Sequence, residues 1–210
     1  MATTALVHGL ALSLGLIAAV GPQNVFVFQQ GATQPRLRRS LPTVLTAGAA
    51  DTVLVLAGVL GVSAAVIEFA WLQTALLASG VAFLGYVGWA LVAAPTAALG
   101  SRDETRLSVR EQVGFTASVS LLNPHAILDT IGVIGTNALA YAPPARWAFT
   151  AACLLVSWGW FLGLAAGGRL LGESVLADGR LRYLNVLSAG MIWVVALYMA
   201  WRLLGLVGVR

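Results

Sequence analysis

LPTVLTAGAADTVLVLAGVLGVSAAVI, residues Leu41 to Ile67, is an apolar run with one carboxylate, Asp51, near its middle. A membrane helix needs about 20 consecutive, predominantly apolar residues, so this run is long enough to cross a bilayer. An ionised carboxylate at the bilayer centre costs at least about 2.5 kcal/mol even on insertion scales, so such a residue normally faces the protein interior and serves a purpose. A second acid, Asp129, lies within another long apolar run, Val113 to Leu139. Together the two acids read as part of a route for a cation or a proton.

Working outward from these runs, composition gives the class. Hydrophobic residues make up 59% of the 210 positions and charged residues 10%. The mean hydropathy is +0.88, which leaves too little polar material to solvate a globule. The chain reads as an all-α integral membrane protein. Further apolar runs at about Leu6 to Gln30, Gln73 to Ala94, Trp147 to Leu171 and Tyr183 to Val207 bring the expected number of transmembrane helices to six. The first run is expected to be a membrane helix and not a signal peptide, because Met1 to His8 carries no Lys or Arg and the run continues beyond signal length. No connector is long enough for a separate soluble domain. Residues 1–210 therefore form a single transmembrane domain: a first half over about 1–94, a connector over 95–112 and a second half over 113–210.

The net charge of +4 rests on twelve arginines and no lysine. Connectors one, three and five hold Arg36, Arg38, Arg39, Arg102, Arg106, Arg110, Arg169, Arg180 and Arg182, whereas the opposite side has Arg146, Arg202 and Arg210. Cytoplasmic connectors keep the positive residues, so both termini are expected on the outer, periplasmic side. Trp71, Trp147 and Trp201 then fall near the outer boundary, where indole rings favour the headgroup region. Arginines confined to such connectors orient the protein, and nucleic acid is not an expected partner.

Polar helix breaks occur at matching places in the two halves: Gly21-Pro22-Gln23-Asn24 in the first span and Asn123-Pro124-His125 in the fourth. Proline removes a backbone donor and crowds the carbonyl four residues back, leaving polar groups that need a partner or water. Many membrane helices carry a proline for packing alone. Here, however, each proline stands beside polar residues. Three spans per half require the second half to be inserted inverted, and interrupted helices in matching positions are the sequence pointer to a transporter's binding site. The expected architecture is two inverted three-helix repeats with helices one and four interrupted.

At about 1.5 Å per residue, Asp51 lies about 15 Å into its span and Asp129 about 24 Å into its own. No arginine falls mid-span to pair with either. A desolvated acid without a fixed cation is expected to hold a proton until a cation arrives, which suits exchange of a proton for a cationic substrate. Gln23, Asn24, Asn123 and His125 supply neutral donors and acceptors of the kind that fix an amino acid's carboxylate and amino groups. Thr116, Ser118, Ser120 and Thr130 read as back-bonded or as close helix contacts. Gly80, Gly85, Gly88, Gly163, Gly167 and Gly168 read as packing surfaces, compatible with a homodimer of either orientation. Cys153, inside an apolar run, reads as a small packing residue. Two distant histidines and one cysteine offer no spaced metal or nucleophile cluster, and no phosphate-binding glycine loop is followed by Lys. Neither an enzyme nor a resident cofactor or metal is expected.

The stretch Gly21-Pro22-Gln23-Asn24-Val25-Phe26-Val27-Phe28-Gln29-Gln30-Gly31, the Asp51 within Gly48-Ala49-Ala50-Asp51, and Leu122-Asn123-Pro124-His125-Ala126-Ile127-Leu128-Asp129-Thr130 closely resemble the signature stretches of the lysine/arginine exporter family (LysE/ArgO type). The resemblance covers essentially the whole chain. It implies a secondary exporter in the bacterial inner membrane that moves lysine or arginine out of the cytoplasm. It also implies roles in binding or proton coupling for Gln23, Asn24, Asp51, Asn123, His125 and Asp129, with Gly21, Pro22 and Pro124 at the helix breaks. Related exporters of neutral amino acids tend to lack the acid after the Asn-Pro segment, so Asp129 favours a cationic substrate. The alternatives are an exporter of neutral amino acids or inorganic cations, and a non-transporting membrane subunit whose acids recruit a partner helix.

Overall fold

A computed structural model describes residues 1–18, 21–62, 107–121 and 127–177, with scattered positions from 71 to 89 and from 190 to 205. The expected third and sixth spans fall largely outside the described residues, as do Asn123, Pro124 and His125. Among the described residues all regular structure is helical.

The first apolar run folds as two helices, α1 (Ala2–Ile17) and α2 (Pro22–Thr33), bent by 81° at the break between them. Proline at the first position of a helix loses nothing, because that N–H has no intrahelical acceptor. Pro22 therefore starts α2 after extended backbone at Gly21, and the polar break expected from the sequence is a helix boundary. The break leaves carbonyls at the end of α1 in need of donors. Asn24 supplies one, its Nδ2 donating to the Ile17 carbonyl at 2.8 Å.

Next comes α3 (Leu37–Ala57), which continues as one wide π turn over Gly58–Val62. Its regular course ends at Gly61, where φ is 101°, a left-handed backbone that glycine adopts without the steric cost of a Cβ. In the second half, α4 (Val109–Leu121) opens with Ser108 and Glu111 in reciprocal bonds: Glu111 accepts from the Ser108 N–H at 2.8 Å, and the Glu111 N–H donates to Ser108 Oγ at 3.3 Å. This pairing satisfies two donors at the helix start. Beyond residues 122–126, a second π turn (Leu128–Ile134) leads into the short α5 (Gly135–Leu139). The last long element is α6 (Pro143–Ala177). At 1.5 Å per residue it runs for about 52 Å, well beyond a hydrocarbon core of about 30 Å.

Among the described residues two helices, within Leu37–Gly61 and Pro143–Gly172, are long and apolar enough to cross a membrane, and the bent pair α1–α2 makes a third if it is one span. α6 is the axis on which α1, α2 and α3 pack. Glycines set these crossings. A Cβ on Gly9 would meet the Phe149 carbonyl, one on Gly31 the backbone of Ala165, and ones on Gly168 and Gly172 the backbones of Phe28 and Ala32. Without water to drive association, close backbone approach of this kind is what holds membrane helices together.

The pairs also give direction. Contacts with α6 ascend along α1 and α2 but descend along α3, where Val55 clusters with Phe149 and Cys153, and Val44 with Phe161 and Ala165. α3 and the α4–α5 segment run side by side in the same direction, pairing Thr43 with Gln112 and Gly58 with Gly135. Where the two π turns meet, a Cβ on Gly135 would lie 2.8 Å from the Gly58 carbonyl.

Candidate functional site

Asp51 stands in the interior of α3, partly buried between α2 and α6. Ser157 of α6 donates from Oγ to Asp51 Oδ2 at 2.9 Å. Gln23, one residue into α2 from the break, approaches the same carboxylate. Its Nε2 is buried without a hydrogen-bond partner among the described residues. Three elements thus converge on one acid, and each side chain that reaches it is neutral. No arginine or histidine pairs with Asp51 among the described residues, in agreement with the absence of mid-span arginines in the sequence.

The register of α6 against α3 is fixed beside this acid. Trp158 Nε1 donates to Thr52 Oγ1 at 3.2 Å, and Thr52 donates onward to the Gly48 carbonyl at 2.6 Å. The Trp158 ring lies over Gly48, where a Cβ would come within 2.8 Å of it. Residues 48, 51 and 52 share one face of the helix, one turn apart. Bulk at 48 would push α6 away from Asp51.

The other residues singled out in the sequence divide. Asn24 is buried and commits its amide to the end of α1, so its described bond serves the helix break. Gly21 and Pro22 form the N-terminal boundary of α2. The backbone of Asp129 lies in the second π turn, whose Ile131 packs with Ile127 against Leu54, one turn along α3 from Asp51. The segment that carries the second acid therefore meets α3 next to the first. Asn123, Pro124 and His125 lie outside the described residues. Thr116 and Ser118 return their hydroxyls to carbonyls four residues back, as expected, whereas Ser120 Oγ is buried with no partner among the described residues. Cys153 is fully buried and contacts the Gly9 carbonyl across the α1–α6 crossing.

Sequence reading missed Ser157, Trp158 and Thr52. Each is a small or aromatic residue in an apolar run, and the one available signal is that Ser157 and Trp158 fall in the middle of the longest helix, away from the boundary where Trp usually sits. It also missed a second buried polar cluster at the arginine-bearing end. There Thr43 Oγ1 donates to Gln112 Oε1 at 3.0 Å, and Gln112 Nε2 donates to the Leu107 carbonyl at 3.0 Å. Gln34 Nε2 reaches both that carbonyl and Gln30 Oε1 at 3.2 Å. A groove of about 390 Å³ along α1 and α6 is lined by Leu14, Leu155, Val156, Gly159, Trp160 and other apolar residues, and Asp51 is not in its wall. No cluster of metal-ligating side chains occurs among the described residues.

Comparison with known proteins adds what geometry alone does not. Residues 14–202 match the family described as the LysE type translocator. Over 197 residues the chain is 45% identical to a protein named as a candidate amino-acid transporter, YisU of Bacillus subtilis (strain 168), covering 92% of this chain and 88% of that one. It is 33% identical over 199 residues to the arginine exporter protein ArgO of Salmonella schwarzengrund (strain CVM19633), covering 92% of each, and 32% identical to that of Salmonella typhi. No solved structure matches the chain significantly. A chain whose described residues form helices, some of bilayer length and apolar, and which matches one family along nearly its whole length, is a multi-pass membrane protein of the LysE family, a family of translocators and not of enzymes.

Proposed function

We propose that this protein is a secondary active exporter of basic L-amino acids, lysine or arginine, working in the bacterial inner membrane by exchange with protons through Asp51 and Asp129. The observation that carries the reading is Asp51: a carboxylate inside an apolar helix, met by Ser157 and by the unpartnered amide of Gln23, with no cation beside it among the described residues. Such a group can accept either the cationic end of a substrate or a proton. The arginine-exporting relatives favour a guanidinium substrate.

Six spans in two inverted halves, with both termini periplasmic, are the architecture in which this exchange works. Support comes from chain direction: α3 and α4 run parallel and begin at the same end, so the chain between them must return to that end. The two π turns, one in each half, and the proline-bearing polar stretch that the sequence places in each half fit the same symmetry. The halves share a water-accessible chamber into which Gln23, Asp51, Asn123, His125 and Asp129 contribute.

Moving one positive charge outward against an inside-negative potential costs about 2.3 kcal/mol per 100 mV, so export needs a coupled driving term. Facing inward, the deprotonated acids bind the substrate; the halves rock; outside, protons displace the substrate and return on the carboxylates. One-for-one exchange moves no net charge. The test is efflux from proteoliposomes loaded with labelled lysine, arginine or a neutral amino acid under an imposed pH gradient. Asp51→Asn and Asp129→Asn are expected to insert normally and to lose exchange. Proton-coupled efflux of basic amino acids retained in both variants overturns the mechanism. Flux of a neutral amino acid or of a divalent cation alone overturns the substrate, and no flux of any solute from the unmodified protein points to a non-transporting subunit.

A further inference from the structure

Serines and threonines inside apolar helices usually return their hydroxyl to the carbonyl one turn back, which satisfies the group within its own helix. Thr46, Thr52, Thr116, Ser118 and Thr150 all do so here. Ser157 does not. Its hydroxyl crosses from α6 to Asp51 Oδ2 on α3. The carbonyl it would otherwise take, that of Cys153, accepts instead from Ser13 Oγ of α1 at 3.4 Å. Ser157 is 4% exposed, so water does not substitute for this bond. A serine hydroxyl has one proton to donate, and here the acid receives it.

The consequence lies in the other carboxylate oxygen. Among the described residues Ser157 alone completes a hydrogen bond to the carboxylate, at Oδ2, while the Gln23 amide approaches without closing a bond, which leaves Oδ1 without a bonded donor. The Trp158–Thr52 bond and the seat of Trp158 on Gly48 fix the height of α6 on α3 at the next residue, which keeps the Ser157 hydroxyl at that oxygen. We infer that Ser157 is a positioning residue for exchange at Asp51: it holds Oδ2 and so reserves Oδ1 for the substrate's cationic group or for the proton that replaces it. This rests on the proposed function, since it presupposes exchange at Asp51. Nothing transfers to serine. The proton bound at Oδ1 comes from water on the outer side and leaves to water on the inner side, and the Ser157 bond to Oδ2 persists in both states.

The decisive experiment measures the pH profile of labelled arginine efflux from proteoliposomes for the unmodified protein, Ser157→Ala, Ser157→Thr and Asp51→Asn. Alanine fits wherever serine fits, so Ser157→Ala removes the donor without bulk. It is expected to slow efflux by about tenfold and to move the half-maximal pH upward by about half a unit to one unit, because a hydrogen bond that favours the ionised acid is gone. Ser157→Thr restores the donor and is expected to bring the midpoint back. Asp51→Asn separates the two levels of the argument. If it transports as the unmodified protein does, exchange at Asp51 fails and the positioning role with it. If Asp51→Asn is inactive while Ser157→Ala keeps the native midpoint, whether fast or slow, the positioning role alone is overturned and Ser157 is a packing residue.

Discussion

Thr43 and Asp51 stand on the same helix, about 12 Å apart along its axis, yet their surroundings differ in kind. Around Thr43, at the end that carries Arg36, Arg38 and Arg39, the buried polar groups are neutral and mutually satisfied: Thr43 to Gln112, Gln112 and Gln34 to the Leu107 carbonyl, Gln34 to Gln30. Around Asp51 the group is ionisable, and among the described residues one amide nitrogen has no partner and no counter-charge is supplied. A satisfied network rigidifies, whereas an incomplete one costs stability and is retained where a ligand completes it. The first cluster closes α2, α3 and α4 together; the second is the one that the proposed exchange requires a solute to complete.

Variants at the two clusters should therefore separate stability from transport. The largest effect is expected from Asp51→Asn, which should bring efflux to the liposome background while the melting temperature in detergent holds or rises, because asparagine still accepts from Ser157 and carries no charge to desolvate. A clear loss of stability would make Asp51 structural and erase the contrast. Next, Gln112→Leu should destabilise by about 1–3 kcal/mol through the groups it leaves unsatisfied, with the preference among substrates unchanged. Adding Thr43→Val should recover part of that loss, since removing both partners is milder than removing one.

Trp158→Phe keeps the ring over Gly48 but removes the bond to Thr52, with an expected cost of about 0.5–1.5 kcal/mol in thermal unfolding. The smallest effect belongs to Glu111, exposed at the start of α4. Bonds from the Ser108 hydroxyl and N–H hold its carboxyl below the usual glutamate value of 4.5. A carboxylate whose pKa is lowered by folding stabilises the folded state above its unfolded pKa and loses that contribution as pH falls through the folded value. Acidification from pH 5 should thus loosen the first turn of α4, read by faster amide exchange there, and Glu111→Gln should flatten that dependence.

The membrane class, the break at Gly21-Pro22 and Asp51 as an inward acid were all legible in the residues, because each follows from composition or from local backbone chemistry. The course of the first run was legible only in part: proline marks a discontinuity, but the 81° bend is set by where α1 and α2 each seat on α6. Ser157 was not legible at all. In an apolar run a serine reads as back-bonded, and only the antiparallel register of α6 on α3 turns its hydroxyl into a partner for Asp51.

By itself, then, the sequence determined that the chain lives in a membrane, where its helices break and that it keeps an acid in lipid-spanning structure, since hydropathy, proline geometry and charge are properties of the residues and their near neighbours. Tertiary structure alone decided which neutral groups meet that acid and which polar side chains close on each other. Those pairings join positions 106 residues apart for Asp51 and Ser157 and 69 apart for Thr43 and Gln112, and they exist because glycine-lined crossings bring the helices close enough for side chains to touch.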